Sequence, residues 1–365
     1  MPPQNHHGLS ESSQVSRKKP KLSNNVRKHL SSIASSAIEL TSNICLVGPA
    51  GCGKTKIINR IYNTLNEQSN TSIVIKKLTG QDVERLRLKL NINNAKTIEM
   101  SSGIGKDQQV VSIDDIINTN VLIIDDFSMM NVELFEWIDE LLQEKHENSK
   151  AFGGINLIMA GDPYLLAPVK GPPCFKSNVW KKCEFVIHEI NNSLRYHGFS
   201  WWFHILKRVR CGQANDEDIL AINKLHKTHQ DLDNQLKGNH ENSQHLFGHK
   251  NNVKTYNLKQ LDCIKSDKHI LEAIDQSGIK VMARRYQFPV QLNYTMTIHS
   301  AQGLEFISPV IHSDDFWLPA QFYSALSRGS VPDNIIIASN NDKIEPHFVN
   351  KYSTHGDFFY RQIMK

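Results

Sequence analysis

Short apolar runs separated by amphipathic stretches organise the chain. Ile44-Cys45-Leu46-Val47, Val121-Leu122-Ile123-Ile124 and Ile155-Asn156-Leu157-Ile158-Met159-Ala160 read as strands buried in a parallel sheet. Each stops at Gly, Asp-Asp or Gly-Asp. Between them, 54–65 and 132–143 carry apolar residues at helical spacing, as do Leu30, Ile33, Ala34, Ala37 and Ile38 in the stretch 26–40. Strands alternating with helices predict an α/β fold, whose ligands bind at the carboxyl ends of the strands. The stretch 227–250 is rich in Asn, Gln, His and Lys and predicts a loop or linker. Patterning resumes over 246–261, continues through 290–298 and ends on the strand Ile335-Ile336-Ile337. No repeat of fixed period is visible.

A chain of 365 residues is long enough for two domains. Its formal charge of +5 is unevenly placed: residues 1–28 hold six bases and one acid, leaving 36 of each in 29–365. Any affinity of the body for nucleic acid must therefore come from local patches. Residues 1–24 read as a disordered polar tail. The cluster Arg17-Lys18-Lys19-Pro20-Lys21 reads as a nuclear-localisation signal, a phosphate-binding arm or a solvated stretch. No apolar run reaches the ~18 residues of a membrane span and the polar N-terminus does not read as a signal peptide, so a transmembrane or secreted protein is not expected. Six scattered cysteines without a C-x-x-C pair read as reduced thiols of an intracellular protein. In the His-rich stretch, His226-x-x-His229 has no cysteine beside it, which reads against zinc.

Gly48-Pro49-Ala50-Gly51-Cys52-Gly53-Lys54-Thr55 fits G-x-x-x-x-G-K-[ST] between a buried strand and an amphipathic helix. Its glycines let backbone N–H groups face phosphates, and the helix N-terminus adds its dipole. Lys54 is the candidate partner of β- and γ-phosphate oxygens, and Thr55 a candidate Mg²⁺ ligand. Cys52 reads as filler. Asp125-Asp126 ends the next strand, placing one acid to hold Mg²⁺ and a second to orient water as base. A nucleoside triphosphate with Mg²⁺ is what these residues call for.

The order of motifs resembles a superfamily 1B helicase of the Pif/RecD type, over about residues 41–340. Leu78-Thr79-Gly80 with Thr97-Ile98 resembles motif Ia, and 123–130 the Walker B "IIDEISM". Gly161-Asp162-Pro163-Tyr164-Leu165-Leu166-Ala167-Pro168-Val169 resembles motif III, "GDFxQLPPV". Asn192-Ser193-Leu194-Arg195 resembles motif IV, and Phe203, Lys207, Arg210 and Gly212 a family pattern that follows it. Phe288-Pro289-Val290 with 296–304 resembles motif V, and Tyr323-Ser324-Ala325-Leu326-Ser327-Arg328 motif VI, "YVALSR".

The resemblance implies two RecA-like P-loop NTPase domains with parallel sheets, an ATP cleft between them and reduced 1B and 2B inserts. It implies a tail at 1–28, a first lobe at 29–190, and a second at 191–365 with a polar loop near 227–250 and a short 2B-like insert near 262–294. Lys54, Asp125, Asp126, Arg195 and Arg328 become catalytic candidates. Residues 48–55 with Gly303 and Glu305 become the nucleotide site, with ATP as the nucleotide, and Thr79, Thr97, Thr297, His299 and Gln302 face DNA. Trp201 and Trp202 either stack bases or pack in the second lobe.

The chain departs from the family at several places. Asp126 stands where a Glu is usual, Leu165 where a Gln senses the γ-phosphate, and Ser300-Ala301 where Lys-Ser is usual. No adenine-reading Gln precedes the P-loop. The expected function is an ATP-dependent 5′→3′ helicase or translocase on single-stranded or forked DNA in replication, repair or recombination. It would act as a monomer, alone or with replication proteins, in the nucleus or cytoplasm, with a viral source compatible with the composition. The other expectation is an ATP-gated single-strand-binding accessory protein with weak unwinding. On the sequence alone, DNA is expected to stimulate hydrolysis only modestly, and Leu165→Gln to recover part of that stimulation if the other contacts are intact.

Overall fold

The structure, a computed structural model, describes residues 41–67, 73–77, 96–97, 118–168, 171–196, 198–235, 243–263, 274–278, 281–286, 294–353 and 363. The tail, the helix expected over 26–40, and Thr79 lie outside them.

The first lobe is a parallel sheet with helices on its faces. In chain order it has β1 (Ile44–Val47), α1 (Lys54–Glu67), β2 (Ile73–Lys77), β3 (Lys96–Thr97), β4 (Val121–Asp125), α2 (Val132–His146), β5 (Asn156–Gly161), α3 (Asn178–Lys182) and β6 (Val186–Glu189). The strand order is β3-β2-β4-β5-β1-β6. Successive side chains of β1 enter opposite cores, Ile44 and Leu46 on the α1 side, Cys45 and Val47 with Phe127, Phe135 and Trp180. That is why the strand is apolar throughout. α1 buries Ile57, Ile58, Ile61 and Leu65 as one stripe. Register sets Val47 beside Gly161 and Asp125 beside Ala160, so the carboxyl ends of β1, β4 and β5 lie side by side. The P-loop, the acid pair and Asp162 follow those three ends.

The second lobe has α4 (Ser200–Arg210), α5 (Asp216–Asn223), β7 (His226–Thr228), α6 (His229–Gln235), β8 (Gln244–Phe247), α7 (Lys250–Asp262), β9 (Ile274–Gly278), β10 (Val281–Tyr286), β11 (Thr295–Thr297), β12 (Pro309–His312), α8 (Gln321–Leu326), β13 (Ile336–Ser339) and α9 (Pro346–Ser353). Five strands form a parallel sheet in the order β11-β8-β12-β13-β7, and β9 and β10 form a separate antiparallel pair. The expectation of a loop over 227–250 is corrected: β7, α6 and β8 lie there. β7 is a half-buried edge strand of His, Lys and Thr, and β8 buries His245, so neither shows an apolar pattern. Trp202 is fully buried in this lobe's core, whereas Trp201 is exposed. No helix among the described residues is long and apolar enough to cross a membrane.

Histidines of that polar stretch gather on the sheet. His245 Nδ1 lies 2.9 Å from His312 Nε2, and His312 stacks on Phe247 at 4.0 Å and on His229 at 5.5 Å. Burial, then His245 and His229, hold the His312 pKa well below the usual histidine value. The folded state therefore keeps His312 neutral while the unfolded chain takes up a proton below about pH 6.5. Stability from this group is complete above that pH and is lost as pH falls below it. His312→Phe is expected to remove up to ~1.4 kcal/mol per pH unit of the acid-side dependence. Thermal melting between pH 7.5 and 5.5 checks this, and identical slopes for both proteins would contradict it.

Candidate active site between the two sheets

The loop from β1 to α1 curls as its glycines allow. Gly51 and Gly53 have φ of +82° and +104°, and a Cβ on Gly53 would collide with Leu194. Lys54, the first residue of α1, folds over the loop and donates to Gly48 O at 2.7 Å and Pro49 O at 3.2 Å. Thr55 Oγ1 donates to Asp125 Oδ2 at 3.3 Å. A hydroxyl and a carboxylate oxygen thus converge at the end of β4. This is a hard-oxygen pair that suits Mg²⁺, an ion that takes one or two protein ligands with waters and substrate phosphates. Asp126 has a left-handed backbone, φ 66° and ψ 63°, and its Oδ1 accepts from Ser128.

The segment after β6 caps the loop, with Leu194 N and Arg195 N donating to Gly51 O at 2.9 and 3.1 Å. Arg195 pairs with Glu305 at 3.2 Å and donates to Ser327 O at 2.6 Å. Glu305 is therefore tied to an arginine beside the P-loop. Arg328 is buried, donating to Ser324 O and Ser327 Oγ at 3.0 and 2.8 Å. Burial, then the Arg195 charge, lowers its pKa, while Asp126 opposes the change. The guanidinium stays charged.

Sequence reasoning did not single out Tyr323 or Arg210 as site residues. Tyr323 OH accepts from Ala50 N at 3.0 Å and donates to Asp162 Oδ2 at 2.8 Å. Arg210 Nε reaches Asp162 Oδ1 at 2.9 Å, and its guanidinium lies 4.1 Å over Tyr164. Asp162 is fully buried. Leu166 N donates to Ser324 Oγ at 3.1 Å, and Tyr164, Leu165 and Leu166 pack into the second lobe's core.

That packing revises the expectation for position 165. A Gln there would bury an amide among apolar side chains, costing ~1–3 kcal/mol, instead of restoring phosphate sensing. Leu165→Gln is expected to lower the melting temperature without raising DNA-dependent turnover. A gain in that turnover would contradict this packing argument.

A cavity of about 700 Å³ opens on the same seam. Met129, Leu166 and Pro168 line it from the first lobe, and Lys250, Thr297, His299 and Trp317 from the second. Trp317, 53% exposed, stacks on His249 at 5.4 Å with 15° between planes. Burial, then Lys250, lowers the His299 pKa. Thr297 and His299 both line this groove. Gln302, expected beside them on DNA, is buried and donates to Ser128 Oγ at 3.0 Å. Thr97 lies on β3 at the sheet edge. Gly303 has φ +82° in the turn before Glu305.

The family model described as PIF1-like helicase matches residues 21–218, more than half of the chain. The chain is 28% identical over 266 residues to human "ATP-dependent DNA helicase PIF1", covering 68% of this chain and 38% of that protein. It is 26% identical over 273 residues to Saccharomyces cerevisiae "ATP-dependent DNA helicase RRM3", covering 67% and 35%. The chain thus spans less than two fifths of either relative. A crystal structure of Pif1 helicase from Candida albicans shares the fold at a TM-score of 0.73 and 17% identity, covering 94% of this chain and all of that one. Pif1 from Bacteroides in complex with ADP-AlF3 and ssDNA gives 0.72 at 19% identity, covering 94% and 96%.

Proposed function

The chain belongs to the PIF1-like helicase family, and on that premise we propose that it is an ATP-driven 5′→3′ motor on single-stranded or forked DNA, serving replication, repair or recombination. The observation that carries this is one seam between two parallel sheets holding both a P-loop with its acid pair and a base-sized groove. On this reading the chain divides into a tail at 1–28 and lobes at 29–190 and 191–365.

Residues 48–55 would cradle the phosphates, with Lys54 on the β- and γ-oxygens, and Gly303 and Glu305 toward the ribose. Thr55 and Asp125 would hold Mg²⁺, which supplies charge neutralisation on the phosphates. Asp126 orients a water toward the γ-phosphorus and takes its proton as the bond to ADP breaks. Arg195 and Arg328, brought from beyond β6, stabilise charge on the γ-phosphoryl oxygens. Nucleotide turnover then changes how the lobes meet, and with it the grip on DNA. Thr79, Thr97, Thr297 and His299 are kept as DNA contacts. Gln302 is assigned to the contact between lobes. The protein acts as a monomer, alone or with replication proteins, and the Arg17 to Lys21 cluster would serve nuclear entry.

The groove is mainly apolar, with Lys250 its one full positive charge among the lining residues. Such a lining suits bases better than phosphates. Trp317 on His249 offers a stacking surface worth ~1–3 kcal/mol per base. Trp317→Ala is expected to weaken binding of a labelled oligothymidine about 5- to 150-fold, with an unchanged salt slope because stacking neutralises no phosphate. Unaltered affinity would contradict the groove assignment.

Strand displacement on forks with a 5′ or a 3′ tail tests the reading. ATP-dependent separation of the 5′-tailed duplex alone is expected. Retention of single strands on ATP without separation would instead match the accessory reading. Separation of the 3′-tailed duplex alone would contradict the polarity.

A further inference from the structure

One hydrogen-bond chain joins the groove to the acid pair. Met129 lines the groove, and Ser128 sits beside it in the single turn Phe127–Met129. On the other side of the seam, Gln302 follows His299 and Ser300, which also line the groove. Gln302 Nε2 donates to Ser128 Oγ at 3.0 Å, and Ser128 Oγ donates to Asp126 Oδ1. Both Ser128 and Gln302 are buried.

The direction of the chain is forced. A hydroxyl has one proton and two lone pairs, and a carboxylate only accepts. Ser128 spends its proton on Asp126, so Gln302 must present its N–H. Gln302 in turn occupies a lone pair of Ser128 and narrows the positions its proton can take. The serine hydroxyl is thus aimed at Asp126 when the lobes meet, and regains its rotation when they part. Asp126 has a left-handed backbone outside strand and helix, and the Ser128 hydroxyl is a group that holds its Oδ1. Stability is a poor reason for this glutamine, since its Oε1 is buried without a hydrogen-bond partner, which is a cost.

We propose that Ser128 and Gln302 are positioning residues which transmit apposition of the lobes on single-stranded DNA to the Asp126 carboxylate. This rests on the motor reading above. Asp126 remains the group that faces the reacting water, and Ser128 and Gln302 act through it.

The test is steady-state ATP turnover with and without oligothymidine for the natural chain, Gln302→Ala, Gln302→Glu, Ser128→Ala and Ser128→Thr, with thermal melting of each. Gln302→Ala and Ser128→Ala should lower the DNA-stimulated kcat on the order of ten- to a hundredfold, with KM for ATP within about twofold because ground-state phosphate contacts are untouched. Gln302→Glu should fall below Gln302→Ala, since a carboxylate at 302 draws the Ser128 proton away from Asp126. Ser128→Thr keeps a hydroxyl and should retain most of the rate. The relay is overturned if both Gln302 variants match the natural chain. It is also overturned if every variant, Ser128→Thr included, loses rate in step with melting temperature. A natural chain with no ATP turnover contradicts the motor reading and the relay with it, whereas natural turnover with unaltered variants contradicts the relay alone.

Discussion

Lys54→Ala is expected to abolish ATP hydrolysis and leave the fold intact. Removing one donor aimed at developing charge costs on the order of 10²–10³-fold in rate, and Lys54 is a full charge placed on the phosphate loop. Its side chain contacts the Gly48 and Pro49 carbonyls and the Cys52 sulfur, all within that loop. The α1 stripe of Ile57, Ile58, Ile61 and Leu65 does not involve it. Melting should therefore change little while turnover disappears. A variant that hydrolyses ATP at the natural rate would remove the P-loop from the account.

Arg328→Ala is expected to lose about 10³–10⁵ in hydrolysis, the value of an arginine that stabilises the transferring phosphoryl group. The structure adds a second consequence. Arg328 donates to Ser324 O, Leu304 O and Ser327 Oγ within its own lobe. Truncation removes the donor from Leu304 O and from a lone pair of Ser327 Oγ, at ~1–3 kcal/mol for each that stays dry, while Ser324 O keeps its bond from Ser327 Oγ at 2.8 Å. The alanine variant should thus melt earlier as well as turn over more slowly. Arg328→Lys separates the two effects: it keeps the charge and part of the bonding, yet lacks the planar fork. Melting near the natural value with turnover still reduced at least 10²-fold supports a role in chemistry. Turnover that recovers in step with melting would assign Arg328 to structure.

Which features were legible follows from the kind of signal each leaves. β1, β4 and β5 are buried on both faces, so their residues form unbroken apolar runs, and the P-loop must carry Gly and Lys at fixed spacing. These could be read directly. β7 and β8 could not, because a half-buried edge strand of His, Lys and Thr and a strand with a buried His245 imitate a polar loop. Their place depends on pairing with β12 and β13, which lie far along the chain. The Asp162, Arg210, Tyr323 and Ala50 network was invisible for the same reason. Each residue sits in a motif readable by itself, while their meeting is a property of how the lobes pack. Gln302 was placed on DNA by its neighbours in the motif, yet its side chain turns inward to Ser128. Trp317 was passed over because a lone aromatic between two strands gives no periodic signal, and Trp201-Trp202 drew attention by adjacency.

The central claim is that nucleotide chemistry and strand binding share one seam and are coupled across it. The most direct measurement is the ratio of ATP turnover with saturating oligothymidine to turnover without it, made on the natural chain with Lys54→Ala as the blank. The account predicts a ratio well above one, carried by kcat, that falls toward one when Ser128 or Gln302 is replaced by alanine. Turnover indifferent to DNA in a chain that binds both ligands would contradict it.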